Sequence, residues 1–300
     1  MKKTSYYTPP GLISNDEKLF LEGDSSPNSL ERLLHQYQNG QVRWLNSGTP
    51  WLTEGAKSWL ARNISCNDKV LEFGAGRSTI FFARQAARVT TVEGSPDWTL
   101  WTLFYLYQHP YLLKKVRMHF CPAEWNPSFP EGIRRYWKEN RRALDSNDVY
   151  ELERDISSVS FPGNNIVFFD GNLRSTVFLQ QIKKMNFDEV EVIIIDNTES
   201  IWNSEVCAKL IPETYERLDY VAGSMDVIPP WQNAKHITSI WIRKDRLEKS
   251  VPIITDVNTH MSLEERKEYM LPIPEDFDVD KSIIDGYAYI KNRLDIAQGN

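Results

Sequence analysis

The chain has 300 residues, 41% of them hydrophobic and 25% charged, which is the composition of a globular protein with its own core. This composition excludes intrinsically disordered, collagen-like and coiled-coil proteins. Lys and Arg total 35 against 41 Asp and Glu, so the net charge is −6. Because no overall positive field exists to hold a phosphate backbone, we expect no nucleic-acid partner.

The three cysteines, Cys66, Cys121 and Cys207, are too far apart for a zinc motif or a CxxC redox centre. This usage predicts a reduced, cytoplasmic environment. The first residues lack the apolar segment of a signal peptide. The most apolar stretch, 98–113, is shorter than the roughly 20 residues that a membrane span needs, so we expect no membrane partner.

The elements in chain order begin with a Pro- and Ser-rich arm and a helix within 1–44, and a second helix follows Thr53. Strands and helices then alternate, which predicts a doubly wound, mostly parallel α/β sheet. We expect one domain over 45–245, with helical extensions at 1–44 and 246–300. The predicted strands are 70–73, 89–92, 116–121, 166–169, 190–195, 215–221 and 237–242, and the helices between them are 79–87, 98–107 and 175–185.

The interval 125–163 is too long for an ordinary connection, and we interpret it as a lid insertion. It carries a basic stripe at helical spacing, formed by Arg134, Arg135, Lys138, Arg141 and Arg142. This stripe is either a solvated helix face or a docking surface for an acidic or sugar-phosphate substrate. Helix 98–107 is rich in aromatic residues, which indicates packing on the sheet or an interface between copies of the chain. The sequence therefore leaves open whether the protein forms a homo-oligomer.

The strongest motif follows the first strand, where Glu72 precedes a turn that contains Gly74 and Gly76. Such a turn brings backbone amides close to a ligand at a helix N-terminus. Glu93 ends the next strand about twenty residues on, where a carboxylate can bind both ribose hydroxyls. These residues predict a nucleoside site.

The third glycine of a dinucleotide motif is replaced by Thr79, and Glu72 would repel a pyrophosphate, so the motif disfavours NAD. A cationic amino-acid sulfonium carries an ammonium group that suits a nearby carboxylate. The alternatives are an NAD-dependent oxidoreductase and a noncatalytic binding protein of the same fold. The noncatalytic protein would not need the acidic residues that follow the strands.

The segment 70–79 closely resembles motif I of the class I S-adenosylmethionine-dependent methyltransferases, and the resemblance extends over 50–243. It implies a Rossmann-like methyltransferase fold and methyl transfer to a hydroxyl of a small-molecule or sugar substrate. The resemblance also implies that Gly74, Gly76 and Ser78 contact the methionine part of S-adenosyl-L-methionine, that Glu93 binds its ribose, and that Ala123 and Glu124 flank its adenine.

Asp170 ends the fourth main strand, and Asp196 and Asn197 end the fifth. Three hard oxygen donors at one sheet edge would suit Mg²⁺, which lowers the pKa of a bound hydroxyl. Alternatively, the acids bind loop amides or cap helices, and Asp170 then becomes the general base or a substrate clamp.

The same three positions resemble the metal ligands of catechol-type O-methyltransferases. Where that family has a lysine, this chain has Leu173. The resemblance implies that the next residue, Arg174, orients the substrate, because an arginine stays protonated and is a poor base. Among the histidines we keep His236, which precedes the last strand, as a candidate for the pocket.

Overall fold

The computed structural model describes residues 48–121, 150–152, 162–171, 174–221, 236–252, 265 and 277–298. The predicted N-terminal helix and the basic stripe of the insertion lie outside these residues. Within them, the chain forms a single eight-stranded sheet with helices on both faces.

The strands are β1 (Lys69–Phe73), β2 (Arg88–Glu93), β3 (Val116–Phe120), β4 (Tyr150–Leu152), β5 (Ile166–Phe169), β6 (Val192–Ile195), β7 (Tyr215–Val221) and β8 (Ile237–Arg243). The helices are α1 (Glu54–Asn63), α2 (Arg77–Gln85), α3 (Pro96–Tyr107), α4 (Pro110–Leu113), α5 (Arg174–Ile182), a π-helical turn (Trp202–Val206) that continues into α6 (Cys207–Leu210), α7 (Lys244–Leu247) and α8 (Val279–Gln298).

The strand order is β4-β3-β2-β1-β5-β6-β8-β7. Strands β1 to β6 are mutually parallel, whereas β8 lies antiparallel between β6 and β7. The chain therefore winds outward from β1 in one direction and then, from β5, in the other. This switch point confirms the predicted doubly wound, mostly parallel α/β sheet, and ligands of open α/β sheets bind at such a point.

The core has two layers because the central strands are apolar on both faces. Val70 and Ile166 face a layer that contains α1, α2 and α3. Leu71 and Val167 face the other layer, which contains α5 and α6. In α3, Trp101 and Phe104 are buried in the first layer, so the aromatic side of this helix packs within the protein.

The last helix, α8, packs against α5 and the π-helical turn through a small apolar cluster around Leu179 and Val206. The extension thus contacts the layer that covers the later half of the sheet. Across the described ranges, no helix has the length and apolar character that a bilayer crossing requires.

The amino edge of the sheet is fixed by a buried ion pair between Asp68 and Arg246. Asp68 is 1% exposed, and both its oxygens lie 3.2 Å from Arg246 Nη2. Arg246 also donates to Glu191 and to the Asn63 carbonyl at the end of α1. Burial alone would raise the pKa of Asp68, but hydrogen bonds from Ser65 and Asn165 and the Arg246 charge hold it below its ordinary value. This network ties α7 to β1 and α1.

We expect Arg246→Gln to lower the free energy of unfolding by about 2 kcal/mol, because it leaves a buried carboxylate without its cation. Chemical denaturation monitored by circular dichroism measures the change. The control is Arg62→Gln, an exposed arginine at the end of α1. Equal losses in both variants would contradict a stabilising role for the buried pair.

Candidate functional site

The turn after β1 is shaped by close contact with the backbone that follows β5. Gly74 has φ +108°, and a Cβ atom there would lie 2.2 Å from the Asp170 carbonyl oxygen. Gly74 N donates to Val92 O, and Asp170 N donates to Phe73 O, both at 2.8 Å. The turn is thereby fixed where β1, β2 and β5 end, and only glycine fits at position 74.

Glu72 is fully buried beneath this turn. Burial raises the pKa of Glu72 to about 8, although the hydroxyls of Ser78, Thr79 and Thr91 lower it in part. Thr79 Oγ1 donates to Glu72 Oε2 at 2.6 Å and accepts from Gly76 N at 3.0 Å. Thr79 thus links the turn to the buried acid. Sequence reasoning missed this role, because it took Thr79 only as evidence against an NAD site.

The second acid, Glu93, is partly exposed at the end of β2. Its two oxygens accept from Ala75 N and Ser95 N, each at 2.6 Å. Burial raises the pKa of Glu93 to about 7, partly offset by these amides, and the Asp170 charge raises it further. Because a carboxylate oxygen can accept more than one hydrogen bond, Glu93 can hold the turn and still accept a hydrogen bond from a ligand hydroxyl.

Asp170 and Asp196 lie on neighbouring strands at the carboxyl edge, as expected. Asp170 is partly exposed and accepts from Gly171 N at 2.7 Å. Asp196 is 7% exposed and accepts from Thr238 Oγ1 of β8 at 2.7 Å. The structure therefore brings the two strand-end acids to the same edge, with Asp170 the more accessible of the two.

Asn197 has φ +54°, a conformation that is uncommon for a side-chain-bearing residue. Its Nδ2 donates to Glu199 Oε1 at 2.8 Å and lies 3.1 Å from His236 Nδ1. Sequence reasoning did not identify Glu199 as a partner, and the polar run 196–199 was the only signal for it. The arrangement joins Asn197, Glu199 and His236 in one hydrogen-bonded cluster.

These contacts give no support to a magnesium site. In the part of the chain that the structure describes, no group of three or more His, Cys, Asp and Glu side chains could hold a metal ion. Asp196 Oδ1 already accepts a hydrogen bond from Thr238 Oγ1 within the protein. The Mg²⁺ ligand set stays a prediction from the sequence.

Three other predicted site residues remain untested by this geometry. Ala123 and Glu124 lie outside the described residues, as does the side chain of Arg174, the first residue of α5. Ser78 is buried in the first turn of α2, where its hydroxyl lowers the pKa of Glu72. Trp98, which the sequence assigned to packing or an interface, adjoins the turn, since its ring lies 3.1 Å from the position that a Cβ atom at Gly76 would occupy.

We expect stability to fall as pH rises from about 5 to 9, because the folded-state pKa of Glu72 is raised. Its contribution is complete below the ordinary glutamate pKa of 4.5 and is lost as the pH passes through about 8. Glu72→Gln should remove the share of Glu72, on the order of 4 kcal/mol, in denaturant titrations at successive pH values. The share of Glu93, whose pKa is also raised, should remain. The exposed Glu213→Gln is the control. Parallel curves for wild type and Glu72→Gln would contradict this prediction.

No protein-family model and no curated protein match the chain. Among solved structures, a dimethyladenosine transferase from Plasmodium falciparum is similar at 11% identity and TM-score 0.34, over 66% of this chain and 65% of that one. The chain thus spans just under two thirds of that relative. Fibrillarin from Aeropyrum pernix with bound S-adenosyl-L-methionine matches at 11% identity and TM-score 0.36, over 62% of this chain and 74% of that one. A methyltransferase-like protein from Silicibacter pomeroyi matches at 13% identity and TM-score 0.38, over 67% of this chain and 93% of that one.

These likenesses carry no argument about this chain, and its doubly wound sheet is established by its own strand order. At such identities and TM-scores they establish neither an activity nor a substrate.

Proposed function

We propose that the protein is an S-adenosyl-L-methionine-dependent methyltransferase that acts on a hydroxyl of a small molecule or sugar. The observation that carries the proposal is the group of three carboxyl side chains, Glu72, Glu93 and Asp170, at the glycine turn where the sheet has its switch point. Burial raises the pKa values of Glu72 and Glu93, and the Asp170 charge raises both further, so the site suits a ligand that brings positive charge.

The same arrangement disfavours a pyrophosphate cofactor. A dinucleotide would place two negative charges beside the Asp170 carboxylate, and it would disfavour further the ionisation of Glu72, whose pKa burial and the Asp170 charge already raise. A sulfonium nucleoside carries two positive centres and a ribose, and its only negative group is one carboxylate. In this proposal Glu93, which accepts from the backbone of the turn, also binds the ribose, and the N-terminus of α2 binds the carboxylate.

The proposed reaction is an in-line displacement that needs few protein groups. The lone pair of the acceptor oxygen forms the new bond to the methyl carbon, and the bond from carbon to sulfur breaks with its electron pair going to sulfur. The hydroxyl proton passes to a carboxylate, and we assign this task to Asp170 because it is the more exposed strand-end acid. Holding the two reactants in line supplies much of the rate enhancement.

The rival is a noncatalytic binding protein of the same fold. It is favoured by the internal hydrogen bonds of the acids, since Asp196 binds Thr238 and Glu93 binds two backbone amides. Such a protein would bind S-adenosylhomocysteine without transferring a methyl group, so binding and turnover together separate the two functions.

Calorimetric titration with S-adenosylhomocysteine should show micromolar binding, and NAD should show none. Glu93→Ala should weaken S-adenosylhomocysteine binding at least tenfold, about 1.4 kcal/mol, because the ribose loses its acceptors. The matched control is Glu213→Ala, an exposed glutamate away from the turn. Wild-type affinity in Glu93→Ala, with an unchanged melting temperature, would place the ribose elsewhere.

Asp170→Asn should reduce methyl transfer about 100-fold or more, because amide oxygens are poor proton acceptors. Its affinity for S-adenosylhomocysteine, which lacks the positive sulfonium of the methyl donor, should fall much less than its rate of methyl transfer. Formation of S-adenosylhomocysteine from S-adenosyl-L-methionine is measured with catechol and with D-glucuronate as acceptors. Parallel assays with Mg²⁺ and with EDTA test the predicted metal, since EDTA would abolish a metal-assisted reaction. Full activity in Asp170→Asn would remove this residue from the proposed chemistry.

A further inference from the structure

Residues 48–53, here called the crossing segment, connect the two halves of the carboxyl edge. The segment begins against α2, since a Cβ atom at Gly48 would lie 2.9 Å from Ile80 Cγ2. It ends against β8, where Thr53 N donates to Thr238 Oγ1 at 3.2 Å. Because α2 follows β1 and β8 adjoins β6, the segment passes from one side of the switch point to the other.

The middle of the crossing segment brings Trp51 to the glycine turn. The rings of Trp51 and Trp98 meet edge to face with their centroids 5.5 Å apart, and the Trp98 ring lies 3.1 Å from the Cβ position at Gly76. Arg77 Cζ, in the first residue of α2, lies 5.6 Å from the centre of the Trp51 ring. Trp51 is 37% exposed with these neighbours in place, so it faces solvent beside the turn.

The far end of the crossing segment is held by a hydroxyl that Asp196 orients. The backbone N–H of Thr53, the residue before α1, can only donate, so Thr238 Oγ1 accepts this bond. The single hydroxyl hydrogen of Thr238 is then given to Asp196 Oδ1, at 2.7 Å. Thr53 and Asp196 are both buried. Loss of the hydroxyl would therefore leave a buried N–H without its acceptor, and the segment would have to move.

We propose that Asp196 is a positioning residue that acts through Thr238 to hold the crossing segment, so that Trp51 forms one wall of the ligand site at the glycine turn. The inference rests on the proposed methyltransferase function, because the ligand assigned to this wall is the sulfonium nucleoside or its thioether product. Trp51 and Thr53 are two residues apart, at most about 7 Å of chain, so a displacement at Thr53 reaches Trp51.

An indole ring beside the turn adds apolar contact area to a site whose other groups are polar. The backbone amides of the turn and the carboxyl group of Glu93 fix the orientation of a ligand, whereas an aromatic wall covers its apolar atoms and excludes water. Asp196 thus contributes to ligand binding and not to the chemical step.

This role depends on the acceptor oxygen of Asp196 and not on its charge. Asp196→Asn keeps an oxygen that can accept from Thr238, and Thr238→Val removes the hydroxyl while it keeps the shape of the side chain. The positioning role predicts that Thr238→Val is the more damaging of the two. A metal ligand or a base at position 196 predicts the opposite order, so this pair of variants separates the roles.

The position of Trp51 is measured in the ligand-free protein by fluorine NMR, after its ten tryptophans are labelled as 5-fluorotryptophan. The Trp51 signal is identified by its loss in Trp51→Phe. Thr238→Val should shift or broaden this signal, whereas Thr238→Ser, which restores the hydroxyl, and Asp196→Asn should leave it near its wild-type position. An unchanged Trp51 signal in Thr238→Val overturns the proposal.

The matched control is Tyr215→Phe, which removes a buried hydroxyl at the opposite edge of the sheet, where it donates to Val190 O. This variant should lose stability but keep the wild-type Trp51 signal and the wild-type affinity for S-adenosylhomocysteine. If Thr238→Val behaves in the same way, its hydroxyl only stabilises the fold and the positioning role is wrong.

The role in binding is measured by calorimetric titration with S-adenosylhomocysteine. Trp51→Ala should weaken binding about tenfold, because the ligand loses an aromatic wall. Thr238→Val should weaken it in the same direction, and Thr238→Ser should restore it. The double variant should bind no more weakly than Trp51→Ala alone, because both changes remove the same contact. Wild-type affinity in Trp51→Ala, or a larger loss in Asp196→Asn than in Thr238→Val, contradicts the proposal.

The two proposals fail in different ways. Absence of S-adenosylhomocysteine binding in the wild-type protein would defeat the proposed function, and with it the wall, whatever the fluorine signals show. Normal binding together with an unchanged Trp51 signal in Thr238→Val would defeat only the role of Asp196.

Discussion

The candidate site depends on one close approach of two backbone segments, at Gly74 and Asp170. The missing Cβ of Gly74 lets the turn after β1 lie against the Asp170 carbonyl, and the hydrogen bond between Asp170 N and Phe73 O holds it there. This contact positions the start of α2, the Glu93 carboxylate that binds the turn, and the side chain of Asp170 itself. A side chain at position 74 would separate the ends of β1 and β5 at the switch point of the sheet.

Burial and the Asp170 charge make Glu72 and Glu93 costly to ionise, and under the proposed function a cationic ligand would offset that cost. Glu72 is buried with one oxygen engaged by Thr79, while its other oxygen has no hydrogen-bond partner among the described residues. Burial raises its pKa, and the Asp170 charge raises the pKa values of both Glu72 and Glu93. A binding site that concentrates like charge trades folding stability for affinity, as sites with perturbed pKa values commonly do.

The antiparallel strand β8 completes the edge that the parallel strands begin. It lies between β6 and β7, so its first residues meet the turn that follows β6. Thr238 thereby reaches Asp196, and the backbone at Ile237 reaches both Thr198 and Glu199. A parallel strand at this position would begin at the opposite edge and would leave Asn197 and His236 far apart. The direction of one strand thus brings Asn197, Glu199 and His236 together.

The sequence by itself determined the alternation of strands and helices, the glycine turn and the carboxylates that follow the strands. These features are local, because apolar periodicity, glycine and strand-end polarity are set by neighbouring residues. The β4 strand, the π-helical turn 202–206 and the insertion of β8 between β6 and β7 were not predicted, since each depends on what packs beside it. Only the tertiary structure decided that Thr79 binds Glu72 and that Asn197 joins Glu199 to His236. Those partners are set by strand order and direction, and neither can be derived from the spacing of residues in the sequence.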